Sequence, residues 1–229
     1  MPFLIFIFII LSCSSEKSDK HLGINMAKSN QPTRTFLALG DSYTIGESVP
    51  ETDRWSRQLI DLLRNDFQIT KHDIVARTGW TTDELITAIE DKNITEQYDM
   101  VSLLIGVNNQ YRGESTEKYR TEFRELLKIA TRFAKNDAQN VLLLSIPDWG
   151  YSPFAEGKDK QKIEQEIDFF NQIAKEECKK VNISFIDITE ITRKNTATAM
   201  FASDGLHYSV KMHSLWAKEA LQTALEILK

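Results

Sequence analysis

Short apolar runs that alternate with helical patterns constrain the fold of this chain more than any other feature. The runs lie at residues 35–39, 73–77, 100–105, 140–146 and 183–188. Between them, apolar residues recur every three or four positions, which is typical of amphipathic helices. The run at 100–105 is apolar at nearly every position, as expected of a strand covered on both faces. The alternation predicts a single α/β domain whose parallel sheet lies between helices.

Composition limits the classes of function. The chain has 229 residues, of which 41% are hydrophobic, so it can bury one sizeable core. Its net charge is −5, and no basic block or basic-aromatic run indicates a nucleic-acid partner. No cluster of His, Cys, Asp or Glu has ligand spacing, so neither a metal nor another cofactor is expected.

The N-terminus resembles that of a bacterial lipoprotein. Residues 3–11 form an apolar run that is too short to span a bilayer but has the length of a signal-peptide core. Ile-Leu-Ser-Cys follows, which resembles a lipobox, although no Lys or Arg precedes the run. We expect a signal peptide at 1–13, lipidation at Cys13, a flexible tether at 14–33 and the folded domain at 34–229. An ordinary cleaved signal peptide is the alternative.

This interpretation also predicts a location. The protein would be lipid-anchored to a membrane in the cell envelope of a bacterium, on the periplasmic or the outer side. With an ordinary signal peptide it would be secreted. Of the two cysteines, Cys178 falls on an apolar helical stripe and is expected to be a buried free thiol.

Polar segments follow several of the predicted strands. They are Gly40-Asp41-Ser42, Gly79, the stretch 106–109, and the stretch 204–207 before the last helix. Loops after parallel strands converge on one edge of the sheet. Gly40 predicts a sharp turn, which places Ser42 in the connection between a strand and a helix. A serine nucleophile needs a base and donors for the oxyanion that it creates.

Four stretches in this order resemble the SGNH hydrolases, the GDSL-type esterases and lipases. They are Gly40-Asp41-Ser42, Gly79, Gly106-Val107-Asn108-Asn109 and Asp204-Gly205-Leu206-His207. Any one of them arises easily by chance, but the ordered set is specific, and it covers the chain from about residue 35 onwards. The resemblance implies a three-layer α/β/α fold with a parallel, flavodoxin-like central sheet.

The resemblance also implies a role for each residue. Ser42 would attack an ester carbonyl, His207 would be the base, and Asp204 would orient His207. The oxyanion would be held by the backbone N–H groups of Ser42 and Gly79 and by the side chain of Asn108. His21, His72 and His213 have no comparable neighbours.

Two departures from known patterns matter. The third stretch usually ends in Asn-Asp, whereas this chain has Asn109, which affects local loop bonding only. The Gly-x-Ser-x-Gly elbow of α/β-hydrolases is absent because Thr44 stands at its last position.

Aromatic residues cluster in the predicted loops at the same edge. They are Trp80, Tyr111, Trp149, Tyr151 and Phe154. They are interpreted either as the lining of a substrate pocket or as packing beneath the loops.

The sequence thus predicts a serine esterase or acylhydrolase that works through an acyl-enzyme. Its substrates would be lysophospholipids, short-chain esters or acylated carbohydrates. An inactive relative that binds glycan or lipid is the alternative, and a scaffold lipoprotein is a third hypothesis.

Overall fold

The structure is a computed structural model, and it describes residues 31–229. The predicted signal peptide, Cys13 and nearly all of the predicted tether lie outside the described residues. Within the described residues, no helix is long and apolar enough to cross a membrane.

Five parallel strands form the central sheet. They are β1 (Thr33–Gly40), β2 (Gln68–Ala76), β3 (Met100–Leu104), β4 (Val141–Leu144) and β5 (Ser184–Ile186). Their order is β2-β1-β3-β4-β5, which is the flavodoxin-like order of a doubly wound sheet. The predicted α/β fold with a parallel sheet is confirmed.

Eight α-helices accompany the strands of the described chain. They are α1 (Ser42–Ile45), α2 (Trp55–Leu63), α3 (Thr82–Lys92), α4 (Val107–Tyr111), α5 (Thr116–Phe133), α6 (Lys160–Lys180), α7 (Thr189–Lys194) and α8 (Val210–Leu228). Helices cover both faces of the sheet: α2 packs against α8, while α5 packs against both α3 and α6. The three layers enclose one apolar core, in which β3 is buried along its whole length.

Strand β2 begins at Gln68, so the sequence prediction that placed its start at residue 73 was wrong. Its first residues include Gln68, Thr70 and Lys71, and Val75 is its one buried residue. The strand lies at the edge of the sheet. An edge strand with so little burial leaves no apolar run by which its start could be recognised.

Gly40 is required by close packing. An added Cβ would lie 2.2 Å from the Leu104 carbonyl oxygen and 2.2 Å from Thr44 Oγ1. The chain turns here, as predicted, since α1 begins two residues after Gly40, but the backbone of Gly40 itself is not in the left-handed region. The missing side chain lets α1 begin directly against the ends of β1 and β3.

Two further side chains have structural roles. Cys178 is free and fully buried, as predicted, and burial raises the pKa of its thiol to about 12. His213 is also buried, and its Nδ1 accepts the backbone N–H of Trp55 at 2.9 Å. Burial lowers the pKa of His213 to about 3, so its neutral ring joins α8 to the start of α2.

Candidate active site

Ser42 is the first residue of α1 and follows directly after the turn that ends β1. Asp41 caps this short helix, because its Oδ1 accepts the backbone N–H of Tyr43 at 3.0 Å. Gly46 ends the helix in the left-handed conformation. The single turn fixes the direction of the Ser42 side chain at the carboxyl edge of the sheet, where the chemistry of such sheets is placed.

Asp41 itself is completely buried beside Ser42. Burial raises the pKa of its carboxyl to about 7, although the hydrogen bond from the Tyr43 N–H acts in the opposite direction. Near neutral pH a large fraction of Asp41 is therefore uncharged. A neutral carboxyl does not oppose negative charge that develops next to Ser42.

Asp204 and His207 form a hydrogen-bonded pair in the loop before α8. His207 Nδ1 lies 2.8 Å from Asp204 Oδ2, and Asp204 Oδ1 accepts the backbone N–H groups of Leu206 and His207, each at 2.9 Å. Partial burial acts to raise the pKa of Asp204, but hydrogen bonds from His207, the Leu206 N–H and Ser48 outweigh it and hold that pKa well below its usual range. Asp204 is thus a carboxylate that can orient the imidazole.

Ser42 and His207 line the same cavity. No hydrogen bond joins their side chains in the described part of the chain. Such contacts are commonly long in enzymes without substrate and tighten when it binds. Because Nδ1 of His207 is engaged by Asp204, Nε2 is the nitrogen left for Ser42 and the substrate.

Gly79 lies in a tight turn between β2 and α3. The Trp80 N–H donates to the Arg77 carbonyl at 3.3 Å, and Gly79 has a φ of +86°, as the third position of a type II turn requires. An added Cβ would come no closer than 3.8 Å to another residue, so the backbone angle, rather than space, calls for glycine. In the described residues, neither the Gly79 nor the Ser42 N–H donates to another backbone oxygen, and both can bind an oxyanion.

Asn108 is the second residue of α4 and is tied to the same turn. Its Nδ2 donates to the carbonyl of Trp80 at 2.9 Å. An amide nitrogen carries two protons, so one holds the side chain against the turn and the other remains for a ligand. The guanidinium of Arg112, which the sequence did not identify, fixes the other side of the turn by donating to the Gly79 carbonyl at 2.6 Å.

Asn109 braces these two donor segments from behind. Its Oδ1 accepts the Thr82 N–H at 3.1 Å, and its Nδ2 donates to Thr82 Oγ1 at 2.7 Å and to Glu114 at 2.8 Å. The side chain is fully buried. An amide fits this position because it both accepts the Thr82 N–H and donates to the Glu114 carboxylate, which an ionised aspartate could not do.

Replacing Asn109 with aspartate is expected to lower the free energy of unfolding by about 1–3 kcal/mol. The change removes both donated hydrogen bonds and places a second carboxylate against Glu114. Urea unfolding of Asn109→Asp would measure the loss. The double variant Asn109→Asp with Glu114→Gln should recover part of it, because the repulsion is removed. An Asn109→Asp protein as stable as the wild type would contradict this role.

The cavity at Ser42 is small and has an aromatic wall. Its volume is about 170 Å³, and Gly79, Asn108 and Leu206 also line it. We define the aromatic wall as Tyr111, Trp149 and Phe154, all of which line the cavity. The ring of Trp149 lies 5.3 Å from that of Tyr111 and 6.1 Å from that of Phe154.

Trp80 and Tyr151, predicted as pocket residues with the wall, are not among the residues that line this cavity. The Trp80 side chain packs against the core. The Tyr151 hydroxyl bonds Glu164 at 3.2 Å, and the Lys160 ammonium lies over its ring. Thr78 and Tyr43 also line the cavity although no sequence motif indicated them, and Leu206, which lies between Asp204 and His207 in the fourth stretch, lines it as well.

One acidic cluster lies near the site, formed by Asp83, Glu114 and Glu122. Lys118 lies within 3.1 Å of Asp83 and 3.0 Å of Glu114, and 3.8 Å from Glu122. The lysine ammonium already supplies the positive charge that these carboxylates require.

Solved structures share this architecture. A lipase/acylhydrolase from Enterococcus faecalis has a TM-score of 0.63 and 18% identity, covering 86% of this chain and 97% of its own. The esterase EstA from Pseudoalteromonas sp., inhibited by monoethylphosphonate, has a TM-score of 0.60 and 18% identity, covering 84% and 97%. The acetylxylan esterase Axe2 from Geobacillus stearothermophilus has a TM-score of 0.65 and 19% identity, covering 85% and 95%.

At these identities the structural likeness establishes the fold alone. No curated protein sequence matches the chain significantly. The model of the GDSL-like lipase/acylhydrolase family matches residues 38–215, a range that contains every residue of the proposed triad and oxyanion site. Because that match spans most of the described domain, the chain belongs to the GDSL-like lipase/acylhydrolase family.

Proposed function

We propose that this protein is a serine esterase that removes short acyl groups from larger alcohols, such as carbohydrates, through an acyl-enzyme on Ser42. The observation that carries the proposal is the meeting of Ser42, Gly79, Asn108 and His207 around one cavity, with Asp204 bonded behind His207. A binding module has no need for a base, an orienting acid and three oxyanion donors around one serine.

The reaction follows from the position of each group. Ser42 Oγ attacks the ester carbonyl carbon while His207 Nε2 takes the hydroxyl proton. The negative oxygen of the tetrahedral intermediate accepts hydrogen bonds from the Ser42 and Gly79 N–H groups and from the free N–H of Asn108. The bond to the leaving alcohol then breaks, and His207 gives the alcohol its proton. Water then attacks the carbonyl carbon of the acyl-enzyme while His207 takes a proton from it. His207 returns this proton to Ser42 Oγ as the carboxylic acid is released.

Asp204 remains a carboxylate throughout. Because its pKa lies well below the usual range, it stabilises the imidazolium that forms at His207 without taking a proton itself.

The size of the cavity supports a short acyl group. Its volume of about 170 Å³ is below the roughly 300–1,000 Å³ of sites that enclose drug-sized ligands. Tyr111 is 54% exposed and Phe154 is 40% exposed, so this wall extends out of the cavity and offers apolar faces to the alcohol part. Axe2, whose fold resembles that of this chain, is described as an acetylxylan esterase, so this fold can support removal of a short acyl group from a carbohydrate.

A series of p-nitrophenyl esters tests the proposal. The full-length protein should hydrolyse acetyl and butyryl esters with the highest kcat/KM. The value should fall at least about tenfold by the decanoyl ester, because a single methylene group that does not fit a pocket can change kcat/KM by about tenfold or more. An acetylated xylo-oligosaccharide and a lysophospholipid should then be compared at equal concentration. An optimum at palmitoyl, or preference for the lysophospholipid, would overturn the assignment of a short acyl group.

A further inference from the structure

We propose that Ser48 is a positioning residue of this active site, acting through Asp204 on His207. The inference rests on the proposed function. The Ser48 hydroxyl donates to Asp204 Oδ2 at 2.7 Å. That is the same oxygen that His207 Nδ1 approaches at 2.8 Å. Ser48 thus lies behind Asp204, which itself lies behind the base His207.

The donors around Asp204 divide its carboxylate into two halves. Oδ1 accepts two backbone N–H groups from its own loop, those of Leu206 and His207. Oδ2 accepts Ser48 and faces His207. The local loop therefore fixes one oxygen, while Ser48, 156 positions away in the sequence, fixes the other. Together they set the plane in which the carboxylate meets the imidazole.

The backbone at Ser48 is held in an unfavourable conformation. Its φ is +64°, in the left-handed region that residues with a Cβ rarely adopt. Residues kept in such conformations concentrate at functional sites, where the surrounding structure holds them. At Ser48 this conformation belongs to a turn, which is closed by a hydrogen bond from the Val49 N–H to the Gly46 carbonyl at 3.0 Å.

The same loop is attached to the nucleophile and to the oxyanion turn. The Glu47 N–H donates to the carbonyl of Ser42 at 2.9 Å. The Glu47 carboxylate accepts the hydroxyl of Thr78, the neighbour of Gly79. Residues 46–49 therefore connect the nucleophile, the acid and one oxyanion donor, and Ser48 supplies the contact with the acid.

The charge on Asp204 gives this contact a chemical effect. A hydroxyl that donates to Oδ2 takes up part of the carboxylate charge that would otherwise act on the imidazole. Removing the hydroxyl should make Asp204 attract the imidazolium more strongly, and it should also free the carboxylate to rotate. The first effect changes the strength of the hydrogen bond between Asp204 and His207, and the second lowers kcat.

Ser48→Ala and Ser48→Gly separate the hydroxyl from the backbone. Both remove the hydrogen bond, but only glycine relieves the left-handed conformation. Ser203→Ala is the control, since Ser203 is an exposed serine next to Asp204. We expect kcat to fall about three- to tenfold in both Ser48 variants, with KM unchanged, which corresponds to one hydrogen bond of ordinary strength. Circular dichroism should show that the glycine variant is folded.

A readout that needs no turnover completes the test. An NMR spectrum of the protein without substrate should show a changed chemical shift for the Nδ1 proton of His207, which faces Asp204, in both Ser48 variants and an unchanged shift in Ser203→Ala. A glycine variant with wild-type kcat and an unchanged spectrum would overturn the inference, because only the backbone would then matter. Absence of ester hydrolysis by the wild type would instead count against the proposed function, and the spectrum would still decide the role of Ser48.

Discussion

Replacing Ser42 with alanine is expected to lower kcat by about 10⁴- to 10⁶-fold, the range seen when the nucleophile of a catalytic triad is removed. In the proposed mechanism this hydroxyl forms the acyl-enzyme. Thr78, the neighbour of Gly79, also lines the cavity, but its hydroxyl donates to the Glu47 carboxylate. The alanine variant should fold normally, because Ser42 begins α1 while the cap of that helix comes from Asp41.

The measurement is hydrolysis of the best ester in the series by wild type and Ser42→Ala at equal concentration. Ser184→Ala is a matched control, because Ser184 is exposed at the start of β5, at the opposite edge of the sheet. It should keep full activity. Activity of Ser42→Ala above about 1% of the wild type would assign the nucleophile elsewhere, given the losses typical of triads.

Replacing Asn108 with alanine is expected to lower kcat by about 100- to 1,000-fold with little change in KM, since one lost oxyanion donor costs about 3–4 kcal/mol. The effect falls on kcat because the negative oxygen exists only in the transition state and the intermediate. Asn108→Asp should be impaired at least as much, because a carboxylate donates no hydrogen bond and adds negative charge where the oxyanion forms.

Asn65→Ala controls for the Asn108 variants, because Asn65 is an exposed residue that follows α2, away from the carboxyl edge. Steady-state kinetics on one ester suffice for all three proteins. If Asn108→Ala raised KM and left kcat intact, Asn108 would be a substrate-binding residue and not an oxyanion donor.

Much of the fold could be predicted from the sequence because its interior strands are apolar throughout. The short and almost entirely apolar run at 100–105 predicts a buried strand, and β3 occupies Met100–Leu104. Helix α3 begins at Thr82, and the Glu84 side chain accepts the backbone N–H of Thr81, which is the pairing typical of a Thr-x-x-Glu capping box. Strand β2 shows the limit, because an exposed edge strand carries little of the apolar signal on which such predictions depend.

The residues of the candidate site could be named in advance because each belongs to a short motif, three of which follow strands while the fourth precedes the last helix. Their supports could not be named. Ser48 has no motif, and its partner Asp204 is 156 positions away. In the sequence nothing distinguishes Arg112 from the other cationic residues. Only the fold shows that its guanidinium donates to the Gly79 carbonyl. Contacts between distant loops depend on the strand order, which short-range patterns do not encode.

The reasons for the glycines also became clear only with the fold. The sequence marks Gly79 only as part of a motif, and the fold shows that its φ of +86° requires glycine. Gly40 was predicted as a turn residue, and the fold shows that it is also a point of close contact with Leu104 and Thr44. Local sequence identifies the need for a glycine, whereas the packing decides which property of glycine is used.

The most direct test of the central claim is the site of reaction with a phosphonate ester, a mimic of the tetrahedral intermediate. The full-length protein should be incubated with a fluorophosphonate and then digested, and the modified peptide identified by mass spectrometry. We expect one adduct, on Ser42, with labelling that is absent in Ser42→Ala and strongly slowed in His207→Ala. An adduct on another residue, or labelling of Ser42 at the same rate without His207, would contradict the proposed mechanism.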